Sequence, residues 1–217
     1  MDDYQAHWVK IYETKAADDV SWYQAHPELS LAFIQSTGMT ADASIIDVGA
    51  GASTLVDHLI TAGYGDITLL DISKEALEIA RARVGAKAAY LAWLIGDITT
   101  IALERHRYDV WHDRAVFHFL IDPLQQQRYV DQVLHAVKPG GHVLVATFAP
   151  DGPEKCSGLD TARFDADSLH GVFGSGFHLI DSRNETHHTP WGTEQRFIYC
   201  YFRKMADDAM LSLRENA

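Results

Sequence analysis

Cysteine is scarce in this sequence, and it contains neither a long apolar run nor an excess of basic residues. The 217 residues include two cysteines, Cys156 and Cys200, which cannot build the disulfide framework of a small secreted domain. No segment approaches the roughly 18–20 consecutive apolar residues of a membrane span, and the acidic, aromatic N-terminus does not resemble a secretory signal. We therefore expect a cytoplasmic protein that does not act on a membrane.

The charge balance is acidic, with 18 Lys and Arg against 30 Asp and Glu and a net charge of −12. This charge disfavours a nucleic-acid backbone as the main partner. A hydrophobic share of 47% and a charged share of 22% predict a folded core and not a disordered chain. We expect a small-molecule partner, no nucleic acid, and a monomer or homodimer.

From residue 44 onward, short apolar runs alternate with helical segments. The predicted strands are residues 44–48, 67–70, 91–95, 108–111 and 142–148, and the predicted helices are residues 54–62, 74–84 and 123–137. Ser73 is the candidate N-cap of the second of these helices, and residues 139–141 are a predicted turn. The alternation is typical of a parallel sheet with helices on both faces.

The two ends of the chain differ from this pattern. Residues 1–40 are predicted to form an N-terminal helical cap. The β-like runs 177–183 and 195–203 flank a polar loop, and we expect them to pair as an antiparallel hairpin at the sheet edge. We interpret the chain as a single domain, residues 1–217, whose core is residues 41–150. Residues 151–217 contain a loop, the hairpin and a short tail at 206–217.

A glycine turn, residues 47–53, follows the first predicted strand. Glycines let the backbone approach a ligand, and the next helix presents unpaired N–H groups there. The third glycine of the dinucleotide pattern G-x-G-x-x-G would fall at Thr54, which argues against a standard NAD fingerprint. After the next strand, Asp71 is placed to accept both hydroxyls of a ribose. After the third strand, Asp97 can hold an adenine amino group while Ile98 packs on the ring.

Together these spacings resemble the class I S-adenosylmethionine-dependent methyltransferases over roughly residues 40–150. The resemblance implies an α/β, Rossmann-like, seven-stranded and mostly parallel sheet with strand order 3-2-1-4-5-7-6, in which strand 7 is antiparallel. It also implies S-adenosylmethionine as the cofactor and makes residues 41–150 its binding core. One departure is Ser53, where many members have glycine. The candidate cofactor-binding residues are Trp22, Tyr23, Asp47, Gly49, Ala50, Gly51, Ser53, Thr54, Asp71, Ile72, Gly96, Asp97, Ile98 and Asp113.

A dense polar cluster follows the fourth predicted strand, within residues 111–119. Open α/β sheets bind ligands at the carboxyl ends of their strands, and in the family that is resembled this end faces the departing methyl group. His112 or His118 is the candidate base. Asp113 would orient that base or line the methionine end, and Arg114 would hold an anionic group or pair with Asp113.

The candidate substrate pocket adds residues from two later segments. Neighbouring residues in an extended strand point to opposite faces, so His187 and His188 would rarely bind one ion, and we expect no metal site. Trp22 and Tyr23 are candidates for an aromatic lid over the cofactor. The candidate substrate-binding residues are Arg114, Phe117, His118, Lys155, Cys156, His187 and Trp191.

These features predict a methyltransferase that acts on a small molecule by in-line transfer, which needs an aligned, desolvated nucleophile and little other machinery. A thiol, hydrogen sulfide or another chalcogen compound is the favoured acceptor, with a carboxylate near Arg114 as an alternative. The second hypothesis is a protein lysine N-methyltransferase. Residues 113–116 resemble, in position, the Asp-Lys-Gly-Thr segment of lysine methyltransferases that act on elongation factor and citrate synthase, although only Asp113 and the basic character carry over. The third is a non-catalytic module that binds S-adenosylmethionine.

Overall fold

The computed structural model describes residues 2–206, which form one seven-stranded sheet with helices packed against it. The N-terminal part contains α1 (Asp2–Thr14), α2 (Glu28–Ser36), β1 (Ser44–Val48), α3 (Leu55–Thr61), β2 (Asp66–Asp71), α4 (Lys74–Val84) and β3 (Ala92–Ile95). The remainder contains β4 (Tyr108–Arg114), α5 (Pro123–Ala136), β5 (Val137–Phe148), β6 (Lys155–Cys156), β7 (Leu159–Asp160), α6 (Ala166–Phe173), β8 (Phe177–His188) and β9 (Glu194–Lys204). A 3-10 turn, Phe117–Phe119, follows β4.

The strands lie in the order β3-β2-β1-β4-β5-β9-β8. β1 to β5 pair in parallel, whereas β9 is antiparallel to both β5 and β8. Because β8 and β9 are the sixth and seventh strands of this sheet along the chain, the order equals 3-2-1-4-5-7-6 with strand 7 antiparallel. The predicted fold is confirmed.

Helices cover both faces of the sheet, and strand alternation decides which face each side chain meets. Ile45 and Val110 belong to the apolar cluster that includes residues of α2, α3 and α4. Their neighbours Ile46 and Trp111 belong to the opposite cluster, which includes residues of α5 and α6. The same alternation continues to the ends of β1 and β4, where the candidate site lies.

Local signals placed several elements correctly. The Ser73 hydroxyl accepts a hydrogen bond from the backbone N–H of Ala76 at 3.2 Å, so it caps α4 as predicted. The helix ends at Gly85, whose φ of 67° stops the helical backbone.

Other boundaries differ because strand pairing extends them. β4 continues to Arg114, since its last residues pair with β1 and β5. The predicted turn at 139–141 lies inside β5, at an irregularity in its pairing with β4. β8 and β9 include much of the predicted polar loop, so the hairpin is longer than the β-like pattern indicates.

Residues 207–217, which include nearly all of the predicted tail, lie outside the described residues. Within residues 2–206, no helix combines the length and apolar composition that crossing a bilayer requires. The single-domain interpretation stays a prediction.

Candidate active site

The glycine turn after β1 depends on two left-handed backbone conformations. The φ angles are 66° at Gly49 and 50° at Gly51. A Cβ atom on Gly49 would lie 1.9 Å from Val116 Cγ2, and one on Gly51 would lie 2.5 Å from the Tyr12 hydroxyl. Both positions therefore require glycine for conformation and for space.

Asp71 is fixed at the end of β2 by backbone N–H groups. Its Oδ2 accepts from Gly51 at 2.9 Å and its Oδ1 from Ser73 at 2.8 Å. Burial raises the pKa of Asp71 to about 6, and the two N–H donors oppose this rise. The carboxylate thus lies beside the glycine turn, with lone pairs left for a ligand hydroxyl.

The loop after β3 completes this side of a cavity that we call the first chamber. The Gly96 N–H donates to the Asp71 carbonyl at 3.0 Å, and Asp97 Oδ1 accepts from the Thr99 backbone and hydroxyl at 2.8 Å each. Asp71, Ile72, Gly96, Asp97 and Ile98 all line the chamber. The chamber has a volume of about 740 Å³, with the open solvent at its mouth included.

The roof of the first chamber is aromatic. Tyr4, Trp8 and Tyr12 are spaced four residues apart on α1, so they share one helix face, and Trp22 joins them. Trp8 packs edge-to-face against Phe119 at 5.0 Å and Trp22 at 5.6 Å between ring centroids. The prediction placed Trp22 over the cofactor site but missed the aromatic face of α1, although its four-residue spacing was visible in the sequence.

A second chamber of about 550 Å³ lies on the other side of Tyr12 and Trp22, which line both chambers. Gly49 and Arg114 are also shared. The remaining predicted residues that line the second chamber are Tyr23, Asp47, Ala50, Ser53 and His112.

Two of the predicted cofactor-binding residues, Gly51 and Thr54, form hydrogen bonds with residues that line the chambers. The Gly51 N–H donates to Asp71, as described above, and the Thr54 hydroxyl donates to the Gln24 carbonyl at 2.8 Å. Neither lines a chamber in this structure.

Asp47, His112 and Ser30 form a hydrogen-bonded chain in the second chamber. Asp47 and His112 are opposite residues in the β1–β4 pairing. His112 Nδ1 lies 2.7 Å from Asp47 Oδ1, and His112 Nε2 lies 2.9 Å from Ser30 Oγ. Because a carboxylate only accepts, Nδ1 donates to Asp47, and Nε2 is paired with the Ser30 hydroxyl. Both ring nitrogens of His112 are therefore in use.

Arg114 connects three segments of the chain. Its guanidinium donates to the Tyr199 hydroxyl at 2.9 Å, to the Trp22 carbonyl at 2.9 Å and to Glu185 Oε2 at 3.3 Å. It also lies over the Phe197 ring, 4.5 Å from the centroid. The partner carboxylate is Glu185 and not Asp113, which corrects one of the two alternatives predicted for this arginine.

Asp113 lies on the opposite face of the sheet from His112 and Arg114, and it lines neither chamber. Its carboxylate accepts from the N–H groups of Val116 at 2.9 Å and Phe117 at 3.2 Å, and from the Tyr129 hydroxyl at 2.6 Å. Burial raises its pKa to about 7. This position corrects the expectation that Asp113 borders the methionine moiety or orients a base, because it holds the turn after β4.

His118 and Phe117 are also sealed in the core, each with no exposed surface. The His118 ring stacks on Phe148 at 4.2 Å between centroids, and neither ring nitrogen has a hydrogen-bond partner within residues 2–206. Burial lowers the pKa of His118 to about 3, so the ring is neutral. The structure therefore corrects the expectation that His118 serves as a base and that both residues line the substrate pocket.

The predicted substrate residues of the later segments separate. Cys156 lines the first chamber; its Sγ lies 3.7 Å from Ser21 Oγ, and burial raises the pKa of its thiol. His187 is buried, with Nε2 2.7 Å from the Ser21 carbonyl, and burial lowers its pKa. Lys155 pairs with Asp160 on the surface, and Trp191 is 54% exposed at the hairpin tip. The placements of Lys155, His187 and Trp191 outside both chambers correct the predicted pocket.

Within residues 2–206, no three His, Cys, Asp or Glu side chains are grouped so that they could hold a metal ion.

Comparison with known proteins agrees with this geometry. Residues 45–141 match the family described as Methyltransferase domain. The ubiquinone biosynthesis O-methyltransferase of Serratia proteamaculans is 30% identical over 115 residues, which cover 52% of this chain and 46% of that protein. The chain spans less than half the length of the curated relatives it matches.

Two solved structures share the fold over nearly the whole chain. One comes from work on the conversion of a disulfide bond into a thioacetal group during echinomycin biosynthesis, with a TM-score of 0.75, 17% identity and 99% coverage of both chains. The other is the Burkholderia thailandensis 1,6-didemethyltoxoflavin-N1-methyltransferase, with bound 1,6-didemethyltoxoflavin and S-adenosylhomocysteine. Its TM-score is 0.69 at 17% identity, and the match covers 93% of this chain and 87% of that one.

The strand order, the glycine turn and the carboxylates after β2 and β3 are the features of the class I S-adenosylmethionine-dependent methyltransferase fold. Residues 45–141 of the chain are the part that matches the Methyltransferase domain family. The family's cofactor is S-adenosylmethionine, and the site fits it. Asp71 and Asp97 line the first chamber, and Gly49, whose missing Cβ atom makes room for Val116, lines both chambers.

Proposed function

We propose that this chain transfers a methyl group from S-adenosylmethionine to the sulfur atom of a small, uncharged thiol or related chalcogen compound. The observation that carries the proposal concerns the acceptor end, which we define as the part of the first chamber formed by Trp8, Trp22, Arg114, Phe119 and Cys156. Asp71, Asp97 and the glycine turn form the other walls and are assigned to the cofactor.

No free base lies at the acceptor end among the described residues. His112 uses both ring nitrogens, His118 is sealed and neutral, and Asp113 is bound to backbone N–H groups. A thiol has a pKa of about 8.5, against about 10 for a phenol and about 10.4 for a lysine amine. It therefore supplies some thiolate near neutral pH without help, and thiolates are strong nucleophiles.

The walls of the acceptor end suit an uncharged sulfur compound. Sulfur makes favourable contacts with aromatic rings, and Trp8, Trp22 and Phe119 provide three of them. The charge of Arg114 is balanced by Glu185, so a carboxylate acceptor is less favoured than the sequence suggested.

The chain's own residues bind and shield the reactants. When bound, S-adenosylmethionine supplies a methyl carbon that the acceptor sulfur attacks as the bond to the cofactor sulfur breaks, giving a methyl thioether and S-adenosylhomocysteine while the thiol proton passes to solvent. Asp71 binds the ribose hydroxyls, and the glycine turn lets its own backbone come close to the cofactor. The aromatic face of α1 excludes water.

A methyl-labelled donor and four acceptors that differ in one group test the proposal: thiophenol, phenol, aniline and benzoate. We expect label mainly in the methyl thioether. Preferential labelling of phenol would instead indicate an oxygen acceptor, as the name of the Serratia relative describes for that protein. The variant Asp71→Asn should lose labelling, and Asp131→Asn, at an exposed position of α5, should keep it.

The same assay on a denatured lysate separates the two other hypotheses. Label in a protein band would support the lysine methyltransferase hypothesis. The structure adds no support to that hypothesis, because Asp113 lines neither chamber. Tight binding of S-adenosylhomocysteine with no labelled product would support the non-catalytic module.

A further inference from the structure

Residues 21–25, which we call the strap, lie between α1 and α2 and contribute wall residues to both chambers. Trp22 lines both of them, and Tyr23 and Gln24 line the second. Within residues 2–206, the one backbone-to-backbone hydrogen bond of the strap is local, from the Tyr23 N–H to the Val20 carbonyl at 3.1 Å. The strap is therefore not attached to the sheet by strand or helix pairing.

Side chains of the sheet attach the strap instead, because they donate to its carbonyl groups. His187 Nε2, on β8, lies 2.7 Å from the Ser21 carbonyl oxygen. A carbonyl only accepts, so this ring nitrogen carries the proton and donates it. The Arg114 guanidinium, on β4, donates to the Trp22 carbonyl at 2.9 Å. Two neighbouring carbonyls of the strap are thus held by two different strands.

The other end of the strap is attached in the same way. The Thr54 hydroxyl donates to the Gln24 carbonyl at 2.8 Å, and the Gln24 amide donates to Glu185 Oε1 at 2.9 Å. Glu185 is also the ion-pair partner of Arg114. Because these attachments are side chains outside the strap, each can be removed by one substitution that leaves the strap's own sequence unchanged.

The attachment at His187 lies beside the residues that close the acceptor end. Ser21 Oγ lies 3.7 Å from Cys156 Sγ, so the strap contacts the short hairpin of β6 and β7. Trp22 follows Ser21 in the chain, and its ring packs edge-to-face against Trp8 at 5.6 Å between centroids. The width of the acceptor end consequently depends on the place where the Ser21 carbonyl is held.

We propose that His187 is a positioning residue that limits the size of the acceptor. By holding the Ser21 carbonyl, it keeps Trp22 against the acceptor end, which then accommodates a single small ring and excludes larger thiols. The inference rests on the proposed function, because it takes the molecule that lies beside Trp22 to be the methyl acceptor. It gives a role to a histidine that the sequence placed in the substrate pocket and the structure places behind the pocket wall.

Acceptor selectivity with a methyl-labelled donor tests this role. The acceptors are thiophenol and 2-naphthalenethiol, which differ by one fused ring. In His187→Phe the kcat/KM for the larger thiol, relative to that for the smaller one, should rise about 2- to 10-fold, the range for one lost hydrogen bond. His187→Gln, whose amide can still donate to the carbonyl, should restore the wild-type ratio. The matched control is His188→Phe, an exposed neighbour on the other face of β8, which should keep that ratio.

The alkylation rate of Cys156 is a second readout, and it does not depend on the acceptor. The thiol is 6% exposed, so iodoacetamide reaches it when the strap opens. Peptide mapping separates its labelling from that of Cys200, which is buried in the core. Because the rate follows the population of the open form, His187→Phe should raise it by about the same 2- to 10-fold. His188→Phe should leave it unchanged.

An unchanged selectivity ratio or an unchanged alkylation rate in His187→Phe would overturn the inference, and so would His187→Gln if it behaved like His187→Phe. If His187→Phe does not fold, Thr54→Val replaces it, because it releases the Gln24 carbonyl with a side chain of the same shape. Unchanged values in Thr54→Val would then overturn the inference. Wild-type protein that labels neither thiol would overturn the proposed function, whereas the alkylation rates would still decide whether His187 keeps the strap closed.

Discussion

The hydroxyl of Tyr12, on the N-terminal helix, lies so close to Gly51 that a Cβ atom there would come within 2.5 Å of it. Gly51 in turn donates its N–H to Asp71 at 2.9 Å. Helix α1, the glycine turn and the carboxylate after β2 therefore meet at one point beside the first chamber, which Tyr12 and Asp71 line. A change at any of the three alters the cofactor site directly.

Replacing Gly49 by alanine should destabilise the protein strongly. A left-handed backbone conformation costs an L-residue roughly 1–2 kcal/mol. Overpacking against Val116 adds roughly 1–3 kcal/mol, because the β-branched side chain of valine has few alternative rotamers that would relieve the clash. We expect Gly49→Ala to lower the free energy of unfolding by about 2–5 kcal/mol in urea denaturation. Gly65→Ala is the matched control, since none of the described residues has an atom within 4 Å of its Cβ position. Equal stability of the two variants would contradict the close approach at Gly49.

Cofactor affinity should depend on pH through Asp71. Ribose hydroxyls donate to the ionised carboxylate, whose pKa is raised to about 6 by burial. Below that pH the ligand must displace a proton, so affinity for S-adenosylhomocysteine should fall as pH decreases from 7 to 5. In Asp71→Asn the affinity should be lower at neutral pH and should change little with pH. Parallel pH dependence in both proteins would assign it to another group.

The ion pair of Arg114 and Glu185 should contribute to folding more than surface pairs do. Its side chains are 9% and 16% exposed, so either single variant leaves a charge in a poorly solvated site. We expect Arg114→Gln and Glu185→Gln each to cost about 3–5 kcal/mol in urea denaturation, and the double variant less than their sum. Lys155→Gln breaks a pair that is 66% and 65% exposed and should cost less than about 1 kcal/mol. Strictly additive effects would show that the two residues do not act as a pair.

Replacing His118 by phenylalanine should preserve methyl transfer. The ring stacks on Phe148 and has no hydrogen-bond partner in the described part of the chain, so an aromatic hydrocarbon fits the same contacts. The lowered pKa also costs stability in acid. His118 in the unfolded chain binds a proton below about pH 6.5, whereas the folded ring binds one only near pH 3. The free energy of unfolding therefore decreases as the pH is lowered from about 6.5 to about 3, by up to about 1.4 kcal/mol per pH unit. His118→Phe should match or exceed the wild type at pH 7 and lose less stability at pH 5. Loss of turnover with intact stability would return His118 to the catalytic site.

The sequence alone determined the glycine turn, the carboxylates at 71 and 97, and the alternation that specifies the sheet. These signals are local, because a strand end, a tight turn and a helix cap each depend on a few neighbouring residues. The resemblance to a known family then gave the strand order, which the structure confirms.

Tertiary structure decided which polar residues meet. His112 and Asp113 are adjacent in sequence, yet strand alternation sends one to Asp47 and the other to Tyr129 on the opposite face. Ser30 joins His112 from 82 residues away, and no spacing in the sequence encodes that contact. His118 reads as a candidate base but lies among aromatic rings. Local patterns set which elements form, whereas the register of β1 on β4 and the packing of the helices set which side chains reach the cavity.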